Sequence, residues 1–208
     1  MTLGFMDRLR QRAAPGMPWL TEGPAQVRAY WEAMRQAGGL PSRAALDPRG
    51  FGGVLDRVFL AERIGKGLVQ IRIAGSALAE LGGTDLRGLP LSCLFAAESR
   101  PLLALALEEV LAGPAVAEIE LGSDRGRTGI AAARLVLLPL EDGGSRRQLL
   151  GAIGFAPGPG AGKFQILARR SERLTLPPEP AERPEPVPAA PPPAGRRGHL
   201  RLVTFDAE

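Results

Sequence analysis

Histidine is almost missing from this sequence: its 208 residues hold one, His199. Ser-His-Asp and Cys-His catalytic pairs need an imidazole inside the folded part to serve as general base. His199 lies beyond a proline-rich stretch, which leaves a core active site of either kind without its base. Cysteine is equally scarce, with Cys93 alone. No internal disulfide can form, a cytoplasmic setting is the natural one, and zinc sites built from Cys and His lack their ligands. Haem held through a core histidine is excluded on the same ground. Asparagine is absent, lysine occurs only at Lys66 and Lys163, and aromatics make up 5% of the chain. A core must therefore rest on Leu, Ile, Val and Ala. No segment offers the ~18–20 uninterrupted apolar residues of a membrane span. The start, Met1 to Leu20, has no apolar run of the kind a signal peptide carries, and Leu3, Phe5, Met6 and Leu9 make at most a short amphipathic turn. No metal and no cofactor is expected.

What is present is ordinary for a globular domain: 45% hydrophobic and 23% charged residues, with a formal net charge of +4. Arginines alternate with carboxylates rather than gathering on a stripe, apart from Arg8, Arg10 and Arg12 near the start and Arg196-Arg197 near the end. That distribution speaks against a nucleic-acid partner.

The pattern along the chain predicts one α+β domain between two extensions. Residues 1–23 precede it, 24–156 form it, and 157–208 make a flexible proline-rich tail. A leader helix begins near Pro24, with Val27, Tyr30, Trp31 and Met34 at i, i+3, i+4, i+7 as one apolar stripe, and ends at Gly38-Gly39. That stripe must be buried, either on the domain's own sheet or on a second copy as a homodimer. Val58–Arg63 and Leu68–Ala74 read as a hairpin, the second strand placing Val69, Ile71 and Ile73 on one side. A short helix follows at Ser76–Leu81, and then a short apolar run at Leu91–Ala96. A longer helix is opened by Ser99 and Pro101 and carries Leu103, Leu107, Val110 and Leu111. Three strands close the domain at Ala115–Leu121, Thr128–Leu140 and Gln148–Phe155. Lys163–Leu174 reads as a short helix. Pro177–Pro193 cannot fill a core, and His199–Phe205 regains an apolar alternation.

Few groups offer chemistry. Gly158–Lys163 resembles a phosphate loop but has Pro157 and Phe164 where that loop needs Gly and Ser or Thr. Glu118 and Glu120 share one strand face and could act as an acid–base pair, although a solvated sheet face produces the same pattern. Cys93, in an apolar run, reads as a buried inert thiol, with a redox-sensing thiol as the alternative.

The element order, together with Tyr30-Trp31 in the leader, Leu40-Pro41-Ser42-Arg43 before Asp47-Pro48, Leu55–Leu60, Ile71–Ser76, Gly82 through Asp85–Gly88, and Leu137–Leu140, resembles a PAS-like domain family of alphaproteobacteria. The resemblance covers about residues 24–156. It implies a five-stranded antiparallel sheet with helices on one face plus the leader helix, a cytoplasmic setting, and a signalling or regulatory role through a partner protein. It supplies no catalytic residue. It also implies a small cavity between the inner sheet face and the long helix. Ile71, Ile73, Leu78, Leu81, Phe95, Leu103, Leu107, Ile119 and Leu135 would line it, with Arg72 and Ser76 at its rim, suiting a compact apolar ligand. Ser92-Cys93-Leu94-Phe95 lacks the polar residues that hold a flavin. A ligand-free docking adaptor and a small α+β enzyme are the other function classes in play.

Overall fold

The computed structural model describes residues 22–35, 38–123, 132–142, 145–155 and 162–176. The leader is helix α1, Glu22–Met34, with Pro24 in the first turn, where a missing N–H breaks no intrahelical bond. Short 3-10 turns follow at Arg43–Ala45 and Pro48–Arg57. The second is capped by Asp47, whose side chain accepts a hydrogen bond from the Arg49 amide. Strands β1 (Val58–Gly65) and β2 (Leu68–Ala74) form the first hairpin, turning through Lys66 and through Gly67 at φ 62°. Helix α2 (Ser76–Gly82) stops on Gly83 in the left-handed region, the backbone conformation that glycine adopts without strain. Helix α3 (Arg100–Ala112) crosses back to β3 (Ala115–Ser123), β4 (Ala133–Asp142), β5 (Ser145–Phe155) and β6 (Phe164–Arg173).

All six strands lie in one antiparallel sheet of order β2-β1-β5-β4-β3-β6. Both faces are covered. On the inner face, α2, α3 and the Leu91–Leu94 turn pack on Phe59, Ala61, Val69, Ile71, Ile119, Leu135 and Ile153. On the outer face, Val27 and Trp31 of α1 and Phe51 of the Pro48–Arg57 turn pack on Val58, Val116, Val136, Leu138 and Leu150. The indole of Trp31 donates to the Pro139 carbonyl at 2.9 Å, so the one polar atom it buries has a partner.

Two expectations are corrected. The stretch Lys163–Leu174 is not a helix: Phe164–Arg173 is β6, a sixth strand paired with β3 along its length. It covers an edge that would otherwise leave the β3 amides and carbonyls open. Neighbouring segments hold it in place. Ala96 N donates to Phe164 O, and Ile166 N donates to the Ser99 hydroxyl, which makes no cap hydrogen bond to α3. The second correction concerns Ile73. Leu60 pairs with Ile73 but Ala61 pairs with Ile71, so Arg72 is an extra residue in β2. Such a bulge reverses the alternation beyond it. Val69 and Ile71 face inward, while Ile73 sits opposite the outward-facing Leu60 and is 45% exposed. The turns at 124–126 and 143–144, residues 128–131, the first 21 residues and the tail from 177, with His199, lie outside the described residues.

Candidate functional site

Of the residues predicted to line a cavity, Ile71, Leu78, Leu81 and Phe95 are buried in the inner core. Leu103, Leu107, Ile119 and Leu135 join the same cluster. The other three predicted residues lie elsewhere. Arg72 is exposed at the bulge and donates to Glu62 at 2.8 Å. Ile73 and Ser76 belong to a different hollow, on the outer face.

That hollow is an open groove of about 580 Å³. Its floor is formed by Val58 and Leu60 of β1 with Leu150 of β5. The Pro48–Arg57 turn supplies one wall through Phe51, Leu55 and Asp56, and the junction of β2 with α2 supplies the other through Ile73, Ala74, Gly75 and Ser76. Arg43, Leu46 and Pro48 close one end. The two walls touch at Gly75: its amide donates to Val58 O at 2.9 Å, and a Cβ built on it would overlap the Leu55 and Asp56 carbonyls. Only glycine lets the β2–α2 junction lie this close to the turn. Leu55 and Ile73 stand at the rim, 44% and 45% exposed. Large aliphatic side chains left this open around a hollow mark a place where an apolar group can be received. The groove also holds a polar oddity. Asp56 Oδ1 is buried with no hydrogen-bond partner among the described residues, while Oδ2 stands 3.9 Å from Arg57 Nε.

The residues proposed as an interface divide. Val27 and Trp31 are fully buried on the chain's own sheet, and Tyr30 and Met34 are half-buried. Tyr30 packs edge-on against Phe51, and its hydroxyl accepts from the Asp47 amide at 2.8 Å.

The carboxylate pair singled out in the sequence is engaged by arginines. Arg28 donates to Glu118 through Nη1 and to Glu172 of β6 through Nη2, each at 2.6 Å. Burial alone would lower the affinity of the Arg28 guanidinium for its proton, and the two carboxylates outweigh it and raise it. The Glu172 carboxyl is held below its ordinary value by the Arg28 hydrogen bond. Arg134 Nη2 stands 3.9 Å from Glu120. Burial pushes the Cys93 thiol up against the opposing pull of Lys163 and Arg100, which disfavours the thiolate a redox sensor needs. Among the described residues no group of three or more His, Cys, Asp or Glu is placed to hold a metal ion, and no helix is long and apolar enough to cross a membrane.

The fold is an antiparallel sheet with helices on one face, a leader helix on the other and a groove beside that leader. A family model described as PAS domain matches residues 21–154. That stretch runs from the start of α1 into the last residues of β5, and the chain belongs to the PAS domain family. No curated protein and no solved structure matches it. β6 lies beyond the matched stretch. PAS domains are in general sensory or regulatory modules, and this is the class in which the chain falls.

Proposed function

We propose that this chain is a cytoplasmic sensory or regulatory module that acts through a partner protein, and that the outer-face groove is where the signal is received. The observation that carries this reading is the groove itself: about 580 Å³, walled by aliphatic side chains, with Leu55 and Ile73 open at its rim. It shares the Pro48–Arg57 turn with α1, since Gln26 donates to Phe51 O at 3.0 Å and Tyr30 packs on Phe51. Filling the groove moves the turn, and the turn is what α1 leans on. An effector signals only if it binds one arrangement of these parts better than another, and a shared wall provides that difference.

A second reading, a compact apolar small molecule in the same groove, is favoured by its volume, which falls in the range of about 300–1,000 Å³ for small-molecule sites. The two are separated by a photo-crosslinking amino acid placed at Ile73 and, as control, at Leu105, an exposed leucine of α3. The expected result in cells is a single cross-linked polypeptide, identified by mass spectrometry, from position 73 and none from position 105. The same adducts from both positions, or none, count against a partner at this face. Native mass spectrometry of the purified chain then reads out any retained small molecule.

A further inference from the structure

We infer that the outer-face groove is a site for a small amphipathic carboxylate, its acyl chain lying over Val58, Leu60 and Leu150 and its carboxylate on the Arg43 guanidinium. This ligand class rests on the small-molecule reading of the groove proposed above. The groove sets two requirements. Its floor and walls are apolar through Phe51, Leu55, Val58, Leu60, Ile73 and Leu150, so the body of the occupant must be apolar as well. Arg43, Asp56 and Ser76 are the lining residues with polar side chains, and they decide what head group the occupant carries.

Arg43 is the group with capacity to spare. It belongs to the short turn Arg43–Ala45 and stands with Leu46 and Pro48 at the end of the groove. It is exposed, and its side chain makes no hydrogen bond or ion pair among the described residues. Other arginines near the outer face are engaged. Arg28 holds Glu118 and Glu172, Arg35 donates to the Gly38 and Gly39 carbonyls, and Arg57 donates to Phe155 O. The nearby acids are committed elsewhere. Asp56 Oδ1 has no exposed surface, and Oδ2 is the oxygen 3.9 Å from Arg57 Nε. Asp47, the acid nearest Arg43 in the sequence, accepts from the Arg49 amide at 2.9 Å. An apolar trough thus ends at a guanidinium without a counter-ion. A carboxylate is the anion that matches it, because its two oxygens accept two parallel N–H bonds from the planar fork.

The two parts of such a ligand do different things. Each methylene taken out of water raises affinity by up to about fourfold, so the apolar body supplies most of the binding. The contact with Arg43 is open to solvent and adds up to about fivefold. Its larger effect is on direction and selectivity: the head is held at the Arg43–Ala45 turn and the tail runs away from it along β1. A neutral head forgoes that contact, and a cationic head is repelled.

The test is isothermal titration calorimetry on the full chain at neutral pH with decanoate, decan-1-ol and decyltrimethylammonium, each kept in monomeric solution. The three share one body and differ in the head. The expected result is saturable binding of one decanoate per chain, up to about fivefold tighter than decan-1-ol, with the cation weakest. Arg43→Gln, which breaks no side-chain contact among the described residues, should bring decanoate down to the level of decan-1-ol and leave decan-1-ol unchanged. Ile73→Gln, at an exposed rim position, should weaken all three. Equal binding of decanoate and decan-1-ol to the wild type overturns the proposal and leaves the small-molecule reading standing with a neutral ligand. A preference that survives Arg43→Gln, or binding that ignores Ile73→Gln, places the ligand elsewhere and overturns it too. Non-saturating uptake of several molecules per chain is surfactant association and does the same. If none of the three binds, the small-molecule reading falls together with the carboxylate.

Discussion

Trp31 decides whether α1 belongs to the domain's core or merely rests on it. Its side chain is fully buried between α1 and the outer sheet face, and its indole N–H donates to Pro139 O at 2.9 Å. Arg35 lies over the ring at 5.3 Å. Trp31→Ala removes the ring and leaves a cavity over Val136, Leu138 and Leu150, a change that costs ~3–5 kcal/mol in well-packed cores. Trp31→Phe keeps an aromatic body but removes the donor, leaving the Pro139 carbonyl short of a partner at a cost of ~1–3 kcal/mol. A domain of this size has ~5–15 kcal/mol in total, so the alanine variant should lose a substantial part of its stability. At about 2–4 °C per kcal/mol, the phenylalanine variant should melt a few degrees lower and the alanine variant about 6–20 °C lower. Urea unfolding followed by far-UV circular dichroism measures both. The reasoning fails if Trp31→Ala unfolds within ~0.5 kcal/mol of wild type, the ordinary scatter of surface substitutions. A separate early transition for the helix would refute it as well, because α1 would then be an independent unit.

Further outcomes are expected. Gly75→Ala sets a methyl against the Leu55 and Asp56 carbonyls; backbone cannot swing aside as a side chain can, so a loss of ~1–3 kcal/mol by overpacking is expected in urea unfolding. The Glu172 and Glu109 carboxyls are lowered by hydrogen bonds from Arg28 and Arg169, respectively. Their stabilisation is complete above the ordinary glutamate value of ~4.3 and is lost as pH falls through the lower folded-state values. Both are well exposed, so the loss is modest and weaker in high salt. Unfolding at stepped pH with and without salt checks this, and Arg28→Met should flatten the acid limb. The raised Cys93 thiol should react with iodoacetamide more slowly than a free cysteine at neutral pH and gain rate only above the usual thiol value of ~8.5; labelling at this single cysteine is read directly by mass spectrometry. Because the stripe of α1 is buried on its own sheet, Trp31→Glu should unfold the chain rather than split a dimer, a difference that light scattering with circular dichroism resolves.

Much of this architecture was legible because local pattern and tertiary placement agree. The α1 stripe, the hairpin turning at Gly67, the stop of α2 at Gly82-Gly83 and the proline-opened α3 all follow from short-range rules, and each lies within a few residues of its predicted place. β6 was not legible. Phe164, Ile166 and Leu167 followed by Arg169, Arg170 and Arg173 suit an amphipathic helix as well as a strand, and only pairing with β3, 41 to 58 residues earlier in the chain, selects the strand. The bulge at Arg72 was also hidden, because Val69, Ile71 and Ile73 alternate without interruption in the sequence.

The groove was missed for a related reason, and here the sequence did carry a signal. An antiparallel strand that faces water on one side alternates apolar with polar residues. Leu135–Leu138 does not alternate: all four residues are apolar and all four are buried, two toward α3 and two toward α1. The strand reads as though both its sides were covered, and the leader helix is the element available to cover the second. Once α1 is placed there, the sheet's outer face becomes as much a core as the inner one. It is longer than one 13-residue helix can cover. α1 lies over β4 and β5 and reaches β3 through the Arg28–Glu118 pair, while the Pro48–Arg57 turn packs at β5 and beside Val58 of β1. The bulge then adds Ile73 to the outer side at the point where that turn ends. The groove is the remainder of this division, an apolar sheet corner with more surface than its cover.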